Sequence, residues 1–425
     1  MKNIFITLFL SVGIFLTAQT KGPSVSFSEY NYSSENKPEQ SQILNFTIDQ
    51  DDFVNSLLGQ VNEQNIGNTI VTLENYGTRY HTKSSGVQAS HDILSWWQAL
   101  VDDAGRTDIT VEAFNHNFTN QISVILTIPG SENPDEIVIV GGHLDCGDYW
   151  IQNNAPGADD NASGIATLTE ALRVLLANDF HPKKTVQFMA YAAEEVGLFG
   201  SADIAQTYKN QSKNVLGVLQ FDMTNYKGSS FDVGINSDQQ HVSAELNLFL
   251  IELLEHYNSS GEHLITYDAA YCNYACSDHA SWTQNGFDAS FPMEAAFEDS
   301  NPNIHTPNDT FAAMNNDASH SVKFAKIALE FIVETAKTTV LKTSEVHSPK
   351  LNMAVKNKVL NYNLNFFDSV LEKAEILDVS GKRMVTVQNP EVNGQISLKS
   401  LNKGAYILIF RDKNSKTYSK KFLLK

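Results

Sequence analysis

At 425 residues the chain is long enough for two or three domains, and its 42% hydrophobic and 10% aromatic content sets it apart from disordered chains. The net charge of −19 is uneven: residues 345–425 hold 14 Lys and Arg against 7 Asp and Glu, which leaves 16 basic and 42 acidic side chains for the rest. A body that acidic repels phosphate backbones and argues against nucleic acid as a partner, and the change of sign near residue 345 marks a separate C-terminal module.

The chain begins MKNIFITLFLSVGIFLTAQT. One Lys, an apolar run from Ile4 to Leu16 and small residues around Ala18 have the layout of a secretory signal peptide over residues 1–18. The run is short of the ~18–20 residues that cross a bilayer, so the expectation is export without a transmembrane anchor. Export places the three cysteines in an oxidising compartment. Residues 19–45 are rich in Ser, Asn, Glu and Gln without sustained periodicity, and read with the next few residues (19–49) as a propeptide or flexible leader.

From 50 to 341 helical and strand-like patterns alternate. HDILSWWQALVDDAG places Ile93, Trp97 and Leu100 at helical spacing, and ASGIATLTEALRVLLAN (162–178) is a second helix. EIVIVGG (136–142), TVQFMAY (185–191), VLGVLQF (215–221) and DASFPM (288–293) are short runs, apolar on both faces. Such runs suit a mostly parallel central sheet flanked by helices, an α/β fold. After a linker at 342–350 the pattern alternates apolar and polar residues around Gly and Asn turns, which predicts a small C-terminal antiparallel β-sandwich over 351–425.

The predicted strands run into groups able to bind a metal: His143 and Asp145 after the first, Glu194 and Glu195 after the second, Asp222 after the third. Open parallel sheets gather ligands outside the carboxyl ends of their strands. The loops APGADDNASG and NIHTPNDT add Asp159, Asp160 and His305. Singly, each has a plain explanation; Asp159 or Asp160, for example, could be a helix N-cap. Jointly, several carboxylates in one pocket must take up protons or bind cations, and a divalent metal cluster is the economical answer. The segment from Asp159 to Glu170 also has the spacing of an EF-hand loop, but Ala155-Pro156-Gly157 breaks any preceding helix and Glu170 falls well inside the following one.

In this order, GGHLD, APGADDNASG, AYAAEEVG, LQFDMTNYKG, CNYACSDH and IHTPNDT closely resemble the secreted leucyl-type aminopeptidases of peptidase family M28, in which two zinc ions share one site. The resemblance covers about residues 50–340 and implies a zinc exopeptidase-like domain. It assigns His143, Asp160, Glu195, Asp222 and His305 as ligands, with Asp160 bridging both ions. It makes Glu194 the general base and places Asp145 behind His143. The choice of Asp160 over Asp159, and of Glu195 over Glu194, comes from the resemblance alone. Three carboxylates offset −3 of the +4 on two zinc ions, which favours a metal-bridging hydroxide at neutral pH.

By the same analogy a hydrophobic pocket of Met223, Tyr274, Phe291, Met293, Phe297 and Ile304 takes the first side chain of a peptide, with a preference for Leu and other large apolar residues. Cys272 and Cys276 with His279 could hold zinc but are one ligand short; the resemblance and the compartment favour a disulfide. Cys146 has no evident partner. The tail motifs ILDVSGKRMV and ISLKSLNKGAYILIF and the KKFLLK ending resemble the C-terminal sorting domains of type IX secretion, implying engagement with that machinery and delivery to the medium or the cell surface. The expectation is a monomer acting on peptide or protein N-termini. The alternatives are another exopeptidase or a glutaminyl-cyclase-like enzyme on the same scaffold, the cyclase working with one zinc, or a metal-free binding protein.

Overall fold

The apolar runs at 136–142, 185–191 and 215–221 become the middle of a six-stranded sheet. A computed structural model describes residues 46–147, 154–238, 240–338, 350–365, 370–378, 383–413 and 417–424. The signal peptide, most of the leader and nearly all of the linker read from the sequence lie outside the described residues. The described chain falls into two compact units, which part between Val340 and Leu341.

In the first unit, α1 (Asp51–Leu58), α2 (Glu63–Glu74) and α3 (Ser84–Asp103) precede β1 (Thr110–Phe114), β2 (Ser123–Ile128) and β3 (Asn133–His143). Then come α4 (Gly164–Ala177), β4 (Lys184–Tyr191), α5 (Phe199–Asn210), β5 (Asn214–Gln220) and β6 (Val233–Asn236). The unit ends with α6 (Ala244–Tyr257), β7 (Tyr267–Ala270), α7 (His279–Gln284), β8 (Ala289–Ser290), β9 (Pro292–Met293) and α8 (Ser319–Ala336). The sheet order is β1-β2-β4-β3-β5-β8. β4, β3, β5 and β8 pair in parallel, and the β1–β2 hairpin joins β4 antiparallel.

Burial on both faces explains the unbroken apolar runs. Val138 and Val140 of β3 face the core shared with α4 and α8, while Ile137 and Ile139 face a second core with Ile204 of α5 and Trp282 of α7. Side chains alternate across a strand, so β3 needs apolar residues at every position.

The structure differs from the sequence reading in three places. DASFPM is not one strand: β8 joins the main sheet, whereas β9 pairs antiparallel with β6 in a separate β7-β6-β9 sheet. Pro292 opens β9, and a proline has no N–H to continue a central ladder. The hairpin β1–β2 adds to the predicted strands, and ISVILTI (122–128) carries the same apolar signal as β3. Third, residues 46–49, grouped above with the leader, are fastened to the body. Phe46 packs on Phe249 with ring centroids 4.9 Å apart. Asp49 and Gln50 donate their backbone N–H groups to the buried Glu334 carboxylate at 3.0 and 2.8 Å.

The second unit is all antiparallel, as predicted. β10 (Lys350–Lys356), β11 (Val359–Asn365) and β14 (Asn393–Ser397) form one sheet. β12 (Leu371–Asp378), β13 (Arg383–Gln388), β15 (Gly404–Asp412) and β16 (Thr417–Leu424) form another. Leu360, Tyr362 and Ile396 of the first share a core with Ile376, Leu408 and Phe410 of the second. Among the described residues no helix is long and apolar enough to cross a membrane.

Candidate active site

The pocket lies at the carboxyl ends of β3, β4 and β5, where parallel strands direct their following loops to one edge. His143 ends β3 and Asp222 follows β5. Gly142 precedes the histidine because a β-carbon there would come within 2.5 Å of the Phe221 carbonyl oxygen. The twin glutamates do not sit at the end of a strand. β4 stops at Tyr191, and Ala193 turns the chain with φ 54° before Glu194 and Glu195.

Asp160 lies in a distorted turn, Ala158–Ser163, with a cis peptide to Asn161. It is not a helix cap; the Asn161 side chain accepts the Gly164 N–H at 2.8 Å instead. Glu170 pairs with Arg173 and accepts the Asn62 N–H, so the EF-hand spacing is not used.

The five far-apart donors meet. His143 Nε2 lies 3.2 Å from one Asp160 oxygen and 3.1 Å from Asp222 Oδ1. His305 Nε2 lies 3.0 Å from the other Asp160 oxygen and 2.9 Å from Glu195 Oε2. Two sets of three donors result, each with its ligand atoms within 4.8 Å of one another: His143, Asp160, Asp222 and Asp160, Glu195, His305. Asp160 belongs to both.

Several inward atoms are backed by a hold on the far side. Asp222 Oδ2 accepts the Ser277 hydroxyl at 2.6 Å, and Glu195 Oε1 accepts the Gly147 N–H at 2.9 Å. His143 Nδ1 lies 3.2 Å from the Asp145 carbonyl oxygen and 3.5 Å from its carboxylate. The Asp145 carboxylate also has a task the sequence did not reveal. It accepts the backbone N–H groups of Glu194 and Glu195 at 3.0 and 3.3 Å, locking the histidine loop to the glutamate loop. Asp309 does the same for the Asp160 turn, accepting the N–H groups of Asp159 and Asp160 at 3.1 and 3.0 Å. It stands in the quoted NIHTPNDT motif, four residues past His305, so the motif held a signal for it.

Arg79 carried no sequence signal. Fully buried, its guanidinium donates to the carbonyls of Leu73, Leu144, Pro156 and Gly157 at 2.6–3.1 Å, tying α2 to the loops before Asp145 and Asp160. Gly157 allows that turn: its φ is 57°, and a β-carbon would sit 2.3 Å from the Asp160 carbonyl oxygen. Cys146 now has its role. The buried thiol accepts the Arg79 N–H and donates to the Ala155 carbonyl at 2.8 Å, and burial pushes it up to about 12, so it stays a protonated structural group.

Electrostatics follow from this crowding. Burial raises the Glu194 carboxyl well above its usual range, and Asp278, Asp222 and Glu195 add to the effect against His143. Glu195 is pushed up to about 7 by burial and by Asp160. Burial would also raise Asp160, but hydrogen bonds from His143 and His305 hold it far below the carboxylate range. So many carboxylates coexist only with protons or cations between them. Among the described residues the Glu194 carboxylate makes no hydrogen bond, although its backbone is fixed.

The residues read as a substrate pocket divide into groups. Phe291 and Met293 are buried beside Cys276. Tyr274 and Phe297 meet edge to face at 5.9 Å, Tyr274 being 53% exposed. Met223 and Ile304, next to Asp222 and His305 in the chain, are half-buried. Cys272 and Cys276 are joined in a disulfide, so they offer no thiolates with His279.

The fold and this pocket define the class, an α/β protein with a candidate metal centre at the carboxyl edge of its sheet. Residues 123–331 match peptidase family M28, and residues 356–425 match the secretion system C-terminal sorting domain. A probable aminopeptidase of Saccharomyces cerevisiae is 32% identical over 309 residues, 70% of this chain and 81% of that protein. Leucine aminopeptidase 1 of Paracoccidioides brasiliensis is 34% identical over 294 residues, covering 67% and 73% of the two chains. The crystal structure of LapB from Legionella pneumophila superposes with a TM-score of 0.63 at 32% identity, covering 70% and 79%. The chain is an aminopeptidase of peptidase family M28.

Proposed function

We propose that the protein is a secreted zinc-dependent aminopeptidase that releases N-terminal residues from peptides, preferring large apolar residues such as Leu. The observation that carries this reading is the pair of donor sets joined through Asp160. Imidazole nitrogen and carboxylate oxygen are fitting zinc donors, and the holds on Asp222, Glu195 and His143 leave one atom of each facing inward. His143, Asp160 and Asp222 would hold one ion and Asp160, Glu195 and His305 the other. Bound there, the ions supply Lewis acidity toward a peptide carbonyl and toward water. A cyclase-like reading calls for one ion and leaves the second donor set without a task.

Glu194 is the general base. Its carboxylate takes a proton from the attacking water and passes it to the departing amine, so the base ends the cycle as it began. Asp145 holds the backbone of Glu194 and Glu195, which keeps base and ligand on their separate courses. Tyr274, Phe297, Phe291, Met293, Met223 and Ile304 line the site for the first side chain. The proposed organisation is a signal peptide (1–18), a leader (19–45), a catalytic domain that takes in residues 46–49 and runs to 341, a linker (342–350) and a sorting module (351–425) that delivers the enzyme to the medium or the cell surface.

The test of the activity is leucine p-nitroanilide against its N-blocked analogue, with and without a chelator. The free substrate is expected to be cleaved, the blocked one spared, and chelation to abolish turnover until zinc is restored. Cleavage of the blocked substrate overturns strict aminopeptidase action. Tyr274→Ala is expected to lower the preference for Leu over Ala substrates about tenfold, the worth of an apolar wall that remains half open to solvent. Unchanged kcat/KM ratios across the two substrates would remove Tyr274 from the pocket.

A further inference from the structure

Four consecutive backbone N–H groups lead from β4 to the twin glutamates, and a side-chain oxygen catches each of them. Ala192 donates to Ser123 Oγ at 2.9 Å and Ala193 to Gln121 Oε1 at 3.1 Å. Glu194 and Glu195 donate to Asp145. Three of these four holds use fixed acceptors. The fourth, Ser123, is a hydroxyl whose own proton must go somewhere, and Ser123 is wholly buried at the start of β2.

That proton has a defined destination. His116 Nε2 lies 2.8 Å from Ser123 Oγ, and His116 Nδ1 lies 2.8 Å from Asp203 Oδ2 on α5. With Ala192 donating to Ser123, the hydroxyl gives its hydrogen to Nε2, and the imidazole is neutral with its proton on Nδ1 toward Asp203. Every group is then satisfied. A second proton on the ring reverses the Nε2 contact: Ser123 Oγ faces two donors, and its own hydrogen loses its acceptor in a site closed to water. The arrangement has the order Asp–His–Ser of a nucleophile relay, but a buried serine that accepts a backbone N–H is not placed to attack a substrate.

We propose that His116 is a positioning residue for Glu194: in its neutral form it fixes, through Ser123, the turn from Ala192 to Glu194, and its protonation loosens that turn, while Glu195 keeps its own holds on Asp145 and Gly147. This rests on Glu194 as the base. The titratable groups facing the ring are Asp203 and, across a polar surface cavity formed by His81, Thr82 and residues 116–120, His81. Burial lowers the His116 pKa below the usual imidazole range while Asp203 opposes the shift, so the neutral form prevails at pH 7 and protonation comes on the acid side.

The experiment compares His116→Gln, His116→Ala and Glu194→Ala with the full chain, measuring kcat and KM across pH and bound zinc by elemental analysis. Gln can present an oxygen where Nε2 stood and cannot take up a proton. His116→Gln is expected to stay within about twofold of the parent near pH 8 and to lose part of the fall in kcat on the acid side of the ordinary imidazole range. His116→Ala is expected to lose kcat about tenfold at unchanged KM and zinc content, the effect of a misplaced base. An acid limb in His116→Gln identical to the parent's overturns the proposal, as does a loss in His116→Ala that appears as missing zinc. Should the Ala variant not fold, the Gln profile decides alone. Full activity in Glu194→Ala sinks the assignment of the base itself, independently of how the His116 variants behave.

Discussion

Glu194→Ala is expected to bind metal as the parent does and to lose kcat by about 10²–10⁴-fold, the usual contribution of a positioned general base. The separation of metal binding from turnover follows from geometry. Glu195 lies 2.9 Å from His305 Nε2 and belongs to a donor set, whereas Glu194 belongs to neither set. Only the backbone of Glu194 is tied, to Asp145, so removing its carboxylate leaves the five donors in place. KM should change little, because the lost interaction develops only in the transition state. Near-normal turnover in a variant with full metal content would rule Glu194 out as the base.

Asp160→Ala is expected to have the opposite profile, losing metal first and activity as a consequence. Asp160 is the one residue common to both donor sets, with one oxygen near His143 and the other near His305. Its removal should empty both positions and lower kcat/KM by at least about 10³-fold, several kcal/mol of charge stabilisation. Asp222→Asn should weaken one position only, since Asp222 occurs in one set. Elemental analysis against protein concentration reads the difference, and circular dichroism separates metal loss from unfolding. Equal metal content in the Asp160→Ala and Asp222→Asn proteins would show that the two sets are not coupled through that carboxylate.

Glu194→Ala set beside Glu195→Ala, which is expected to lose metal, tests whether two adjacent carboxylates in one loop perform separate tasks. That division depends on backbone fixation more than on side-chain chemistry, since Glu194 and Glu195 are the same residue type. Asp145 makes the division possible by accepting both N–H groups at once. A carboxylate that accepts two backbone N–H bonds in a fully buried place is hard to replace, because an amide at that position would turn one acceptor into a donor.

Much of this was legible in the order of residues. Runs apolar on both faces required a sheet covered on both sides, and three of the four predicted runs are strands within a few residues of their expected bounds. His143, Asp222 and the glutamates had to emerge at one edge because parallel strands end on the same side. The switch to alternating apolar and polar residues near 350 required a different, antiparallel unit. These inferences rest on periodicity, which is local and survives in a one-dimensional record.

What the sequence could not contain is which buried group satisfies which. Arg79 reaches four carbonyls spread over residues 73–157, Asp309 holds a turn 150 residues away, and Ser123 lies 2.8 Å from a ring that also meets Asp203. Apart from Asp309, which stands in the His305 motif, nothing in the spacing of those residues distinguishes them from surface polar groups. Their partners are chosen by desolvation: once the sheet closes, each buried donor and acceptor must find a match within hydrogen-bond reach, and only the packed chain determines who is near. The sequence by itself settled the α/β fold and the edge at which the donors gather; the tertiary structure decided how they are held, because that is a property of neighbours in space.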